Sequence, residues 1–459
     1  SWQAMVSKGY DYGYFGFPET QDGEVSTRFL KLYMLLSILF LSLIVVVVGA
    51  WASFEKRKIA LNPLNLFCLG FLFYYLFPVV FSEFRIFEDL PPLSLWYRVY
   101  DEPTDASKWL YIVCAWFYFF SFILGYLIGR KIYIPTIRGF TTNNFDSRLL
   151  YIFLFPVALL ATMFAYWMKD ELFVGYQGNI FNDFSWRGSF AAVCLILFGI
   201  AIIKLSALGS SLNKRLFWKT VLFHPTFMVY WIFAVLNLTM GGRLYFLASI
   251  LSLVVFYTRY IAGVKLGSAL LFIIIMFGFI SLAGVLRSGG LPSFIALGEN
   301  FALEALFTSL PIFPLLSGNS LNVIDFPIFL LSDFINLVPT VLLPDKSDLI
   351  ITPGQAGHII YNPMGALHQF VSVTTNFGLL GSVMFFLFFG AFFGVLFKYS
   401  DRSYVKVWYV ISCGFIATSF FRDPFFVVII KNWFQYSLLI PTLIMFMTHC
   451  LSYIVKKKR

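Results

Sequence analysis

Eleven apolar runs, each about as long as a helix needs to cross a bilayer, recur along the chain. They lie near 30–52, 62–82, 109–129, 149–168, 189–208, 220–240, 244–262, 266–286, 377–397, 407–421 and 426–453. An α-helical span needs roughly 20 such residues. The runs are unbroken rather than alternating, which argues against a membrane barrel. Of the 459 residues 59% are hydrophobic and only 12% charged, too few charges to clothe a soluble domain of this size. The expectation is an all-α, polytopic integral membrane protein of about eleven spans, one membrane domain over 1–459.

The loops between the runs alternate in charge. One set holds Lys56–Lys58, then Arg130, Lys131, Arg138 and Arg148, then Lys204, Lys214, Arg215 and Lys219. It continues through Arg259, Lys265, Lys398, Arg402 and Lys406 to the basic C-terminus, Lys456–Arg459. That set carries 20 of the 33 basic residues, and by the positive-inside rule it faces the cytoplasm. The net charge of +10 is thereby accounted for by membrane topology and gives no reason to expect nucleic acid. Eleven spans in phase put the C-terminus inside and the N-terminus outside. Ser1 to Ala4, ahead of Met5, read as an added scar, and the polar, aromatic stretch to Arg28 does not read as a cleavable signal peptide.

The outer segments are aromatic and mildly acidic, and the one at 287–376 is far longer than the rest. It is moderately apolar and carries several Pro and Gly. Phe301–Leu310 and Ile328–Leu337 within it look amphipathic and too short or too polar to span, so they are expected at the outer interface or as a cap on the bundle. Long loops in compact folds are usually functional. Trp96, Tyr97, Tyr100, Tyr176, Trp186 and Tyr361 read first as an interfacial aromatic belt, and second as surfaces for sugar rings.

The five cysteines fall inside apolar runs and read as small core residues. No metal cluster, phosphate-cradling Gly loop or nucleophile–base pair occurs, so neither metal nor cofactor is expected. Three arginines at outer helix ends stand out: Arg243 in a Gly241-Gly242-Arg243 turn, Arg287 before Gly289-Gly290, and Arg422 in Phe421-Arg422-Asp423. Guanidinium groups at helix starts suit an anion, although interface anchoring explains any one of them alone. His358, loop-borne, is a candidate general base or a solvated surface histidine. Arg187, Tyr245, Lys346, Tyr361, Asn362 and His368 complete the candidate substrate-binding set.

This arrangement resembles the Wzy-type polymerases of lipid-linked oligosaccharide repeat units, which build O-antigen, enterobacterial common antigen and related polysaccharides. The resemblance rests on the Gly-Gly-Arg turn at 241–243 and the Leu286-Arg287 span end. It extends through Leu337–Pro344, Tyr361-Asn362-Pro363-Met364-Gly365 and Asn376-Phe377-Gly378-Leu379-Leu380-Gly381 to Phe421-Arg422-Asp423. It covers the second half of the chain; in the first half only the span pattern agrees. The resemblance implies a GT-C-like glycosyltransferase of the bacterial inner membrane that works at the periplasmic face, with 287–376 as a periplasmic loop. Its reaction would move a growing glycan from undecaprenyl diphosphate onto a new undecaprenyl-diphosphate-linked repeat unit, with Arg243, Arg287 and Arg422 stabilising the leaving diphosphate. The implied partners are those lipid-linked oligosaccharides, membrane lipids and a chain-length-regulating co-polymerase.

Two other activities fit the same outline. An O-antigen ligase, which transfers the finished glycan to a lipid A core, shares the long outer loop and the arginines, but the Gly-Gly-Arg turn and the Asn-Phe-Gly-Leu-Leu-Gly segment look more like the polymerase. A flippase or transporter of lipid-linked sugars would show two similar halves and polar midspan helices, and neither is apparent. A scaffold without chemistry would leave the arginines and the long loop as coincidences.

Overall fold

The computed structural model describes residues 24–55, 58–86, 88, 91–135, 147–169, 186–239, 242–265, 293–318, 321–338, 342–351, 367–422 and 425–457, with scattered positions between 267 and 285. Helix dominates, beside a two-residue antiparallel pair, Phe54–Glu55 with Lys58–Ile59. The helices are α1 (Glu24–Ser53), α2 (Pro63–Glu83), α3 (Pro91–Asp101), α4 (Asp105–Lys131), α5 (Ser147–Trp167), α6 (Arg187–Ala207), α7 (Lys214–Phe223) and α8 (Pro225–Thr239). They continue as α9 (Arg243–Tyr260), α10 (Phe294–Ser309), α11 (Ile312–Ser317), α12 (Ile328–Asp333), α13 (Gln369–Lys398), α14 (Ser403–Ile416), α15 (Ser419–Arg422) and α16 (Ile440–Lys457). A wider, π-wound stretch, Phe425–Leu439, leads into α16.

Among the described residues eight helices are long and apolar enough to cross a membrane, and a bent pair makes nine. The chain is therefore a polytopic helical membrane protein, but its helices do not match the eleven runs one for one. The run at 220–240 is two helices, α7 and α8, bent by 54°. Pro225 causes the break, because the residue before a proline is pushed out of helical conformation, and His224 is extended at φ −75°, ψ 135°. The run at 407–421 divides into α14 and the one-turn α15, and that at 266–286 lies largely outside the described residues.

The larger departure is in the long segment. Leu297–Ser317 is 21 residues of helix long and apolar enough to span, where Phe301–Leu310 alone reads as a short amphipathic piece. The helix begins earlier, at Phe294, and continues past Pro311 into α11. What makes the sequence look amphipathic is one carboxylate, Glu304, and that charge is met inside the fold by two arginines. The aromatic residues of α3 also go inward: Trp96, Tyr97 and Tyr100 are buried, with Trp96 and Tyr100 packed edge-on against Phe313 of α11. They form a packed layer and not an interfacial belt. Outward rings such as Phe155, 74% exposed, occupy the face a lipid phase would cover.

Three local devices hold the bundle. At the α1–α2 junction Asn62 and Asn65 form a reciprocal capping box: Asn62 Oδ1 accepts from the Leu64 and Asn65 amides while Asn65 Oδ1 accepts from the Asn62 amide. Their side-chain amides donate back to Ala52 and Ala60 carbonyls. Halfway along α2 the turn Leu72–Leu76 is π-wound, which frees carbonyls from the helical ladder. Tyr74 O accepts from Ser309 Oγ of α10 and contacts His368 Nε2 at the head of α13, and Tyr75 O accepts from Tyr111 of α4. One irregular turn thus ties together three other helices.

The third device is the crossing of α4 and α13, the most intimate helix pair among the described residues. Gly125 and Gly129 face Leu387 and Ala391, while Gly390 and Gly394 face Phe122 and Tyr126, with backbone meeting backbone. Small residues four apart allow this approach in membranes. The lower part of α13 is broken at Gly378, whose φ is 71°. The freed groups are taken up by the preceding segment: Leu379 N donates to Asn322 O, Leu380 N to Val323 O, and Asp325 N to Phe377 O. Asn376 Oδ1 receives the Leu330 amide of α12 at 2.7 Å. The Asn-Phe-Gly-Leu-Leu-Gly motif is thus the clasp by which the long segment is fastened to the bundle.

Candidate functional site

Arg243 is the first residue of α9, directly after Gly242. The α8–α9 turn closes through Gly242 N donating to Asn237 O. It is so tight that a Cβ on Gly242 would stand 2.4 Å from Asn237 Nδ2. Arg422 ends α15, some 180 residues later, and its carbonyl accepts from Leu367 N at 2.9 Å. Between them α10 presents Glu304. Its Oε2 lies 2.5 Å from Arg243 Nη2 and its Oε1 2.5 Å from Arg422 Nε. The three side chains are mostly buried, with exposures of 18%, 11% and 20% for Arg243, Glu304 and Arg422.

Among the described residues, one carboxylate is divided between two guanidinium groups. Partly buried charge of that kind is expensive unless matched, and guanidinium groups are forked donors suited to carboxylate or phosphate oxygens. The anion observed between the two guanidinium groups is the fold's own carboxylate, Glu304.

The other candidates from the sequence have partners of their own. Tyr245, two residues after Arg243 in α9, receives a hydrogen bond from Asn432 Nδ2 at 2.7 Å, which ties α9 to the π-wound stretch. Lys346 sits in a short turn, Lys346–Leu349, with Nζ donating to Val338 O. Arg187 opens α6 and is half-buried. His368 is not on an open face: it is fully buried as the N-cap of α13, its Nδ1 accepting from Phe370 N and its Nε2 against Tyr74 O, both at 3.0 Å. Both ring nitrogens are committed to backbone, so His368 packs and caps α13 and is not placed to contact a substrate as the sequence suggests. Arg287, His358, Tyr361 and Asn362 lie outside the described residues.

Burial pushes the His368 imidazole down to about 3, the hydrogen bond to Tyr74 opposing the shift only in part. The ring stays neutral at physiological pH and holds α13 against the π turn of α2. Among the described residues no group of three His, Cys, Asp or Glu is placed to hold a metal ion.

No protein-family model matches the chain, and neither does any curated protein or solved structure.

Glu304 is the residue that sequence reasoning passes over. It lies in Phe301-Ala302-Leu303-Glu304-Ala305-Leu306-Phe307, a lone carboxylate in a run otherwise apolar. An ionisable group in a helix of that kind is by default a functional candidate with a partner. That signal is present in the sequence, but reading the run as interfacial hides it.

Proposed function

We propose that this chain is an inner-membrane glycosyltransferase that polymerises lipid-linked oligosaccharide repeat units. The observation that carries the reading is the convergence of Arg243 and Arg422, from helix ends far apart in sequence, on Glu304. A reaction whose leaving group is a diphosphate accumulates negative charge on that group in the transition state. Cations fixed in a partly buried site stabilise such charge most as it develops. Arg243 and Arg422 lie at helix ends opposite the basic residues Arg259, Lys265, Arg402 and Lys406, which supports a periplasmic position for this cluster. On that side a flipped, lipid-linked glycan is available and nucleotide sugars are not.

In this reading Arg243 and Arg422 grip the diphosphate of the donor, with Arg287 as a third cation on sequence grounds. The segment clasped at Gly378 walls the glycan side, and the lipid-exposed helix faces admit the polyprenyl tail. A chain-length-regulating co-polymerase remains the expected protein partner.

The test is reconstitution of the protein in lipid with undecaprenyl-diphosphate-linked repeat units. A ladder of longer lipid-linked glycans is expected, lost by about 100-fold or more in Arg243→Ala and Arg422→Ala, with folding checked by melting. Transfer to lipid A core without a ladder makes the protein a ligase, and movement of the substrate across the bilayer without either product makes it a transporter.

A further inference from the structure

The geometry points to Glu304, the carboxylate held between Arg243 and Arg422, as an internal competitor for the diphosphate's cations that, once displaced by the diphosphate, takes the proton from the acceptor hydroxyl. This rests on the polymerase reading above and assigns to Glu304 the general-base role for which the sequence offers His358.

Three features lead there. Each oxygen of Glu304 is held by a different arginine at 2.5 Å, so in this state each carboxylate oxygen is already accepting from a cation. A diphosphate brings more oxygens and more charge than one carboxylate, and so wins the guanidinium forks. Displacement then leaves the carboxylate beside the leaving group, with lone pairs returned to it. The third feature is the mounting. Glu304 stands on α10 beside the fully buried Ala305 and Leu306, so the displaced carboxylate turns about its own side chain and stays within the site.

The step balances without any further reagent. The acceptor O–H bond breaks and its proton passes to Glu304. The acceptor oxygen bonds to the anomeric carbon of the donor glycan. The bond from that carbon to the diphosphate oxygen breaks, and its electron pair leaves on undecaprenyl diphosphate, between Arg243 and Arg422.

An internal carboxylate that is also the base predicts opposite effects on binding and turnover. In the reconstituted assay, Glu304→Gln is expected to be inhibited by inorganic pyrophosphate at about tenfold lower concentration, because the competing charge is gone. Its kcat is expected to fall by about 100-fold or more, and the acid limb of the kcat–pH profile to disappear. Glu304→Asp keeps the charge and folds if Glu304→Gln does not. It is expected to retain the acid limb and the wild-type pyrophosphate sensitivity, with kcat at least about tenfold down because the carboxylate is one methylene short.

Wild-type kcat in either variant overturns the assignment while leaving the polymerase standing. So does an acid limb that survives in Glu304→Gln and vanishes in His358→Gln. Unchanged or weaker pyrophosphate inhibition in Glu304→Gln overturns the displacement. Absence of any ladder from the wild type refutes the proposed function, and this assignment with it.

Discussion

Placing a single methyl group at the α4–α13 crossing should loosen the whole bundle. A Cβ on Gly125 would lie 1.9 Å from Leu387 O, and one on Gly390 2.1 Å from Phe122 O. A carbon and a carbonyl oxygen rest at about 3.3 Å or more, so either methyl is more than about 1 Å too close. The obstructing atom is helix backbone, which has no rotamer to change. The helices must therefore separate, and the close approaches at the remaining three glycines are lost together. Each is worth about 0.5–1 kcal/mol as a Cα–H···O contact, and the residual overpacking adds about 1–3 kcal/mol. Gly125→Ala or Gly390→Ala should thus cost about 3–5 kcal/mol, read as a lowered unfolding midpoint in lipid. Gly188→Ala, where nothing lies within 4 Å, is the control and should change stability by less than about 1 kcal/mol. Leu387→Ala should not rescue Gly125→Ala, because the clash is with the main chain of residue 387. Rescue, or a Gly125→Ala midpoint equal to that of Gly188→Ala, would refute the reasoning.

Other perturbations probe other joints. Gly378→Ala forces a side chain into a positive-φ position 2.8 Å from Asn322 O and should unclasp the long segment, read as faster proteolysis between 321 and 351. Asn62→Ala removes two caps and a bond to α1, and should cost about 2 kcal/mol in the unfolding midpoint. Gly242→Ala pushes on Asn237 and so displaces Arg243; elongation should fall while the melt changes little. The pH dependence of stability should carry the mark of His368, whose folded value is about 3 against an unfolded value of about 6.5. Between those limits the unfolded chain binds the extra proton, so stability is full above about 6.5 and is lost as pH falls toward 3, at up to about 1.4 kcal/mol per unit. His368→Asn should flatten that slope.

The membrane class and most helix positions were legible because hydropathy integrates over a whole span, and a residue or two of error does not matter. Arg243 and Arg422 were legible as helix-end cations for the same reason: a charge beside an apolar run marks a boundary. Their meeting on Glu304 was not, because hydropathy is blind to which helix lies next to which. The same holds for Trp96 and Tyr100, where a ring destined for Phe313 looks identical to one destined for a lipid headgroup. The glycine pairs 125/129 and 390/394 stand plainly in the sequence at four-residue spacing. Read for length alone, those runs conceal the contact that orients α13, and with it His368 and the clasp at Gly378. The Asn-Phe-Gly-Leu-Leu-Gly segment was visible as a motif while its job, accepting another segment's backbone, shows only in three dimensions.

The π-wound turn at Leu72–Leu76 has a further implication for chain length. A π turn is in effect one residue inserted into an α-helix, and one residue turns everything beyond it by about 100°. Deleting any of those five residues would leave hydropathy and span count almost unchanged. It would nonetheless swing Ser82 away from the Trp96 indole that donates to it at 2.6 Å, and return the Tyr74 and Tyr75 carbonyls to their own ladder. The rotational phase of α2 is therefore a heritable quantity separate from its composition. Two chains with the same hydropathy trace and a one-residue difference here would not share a fold core.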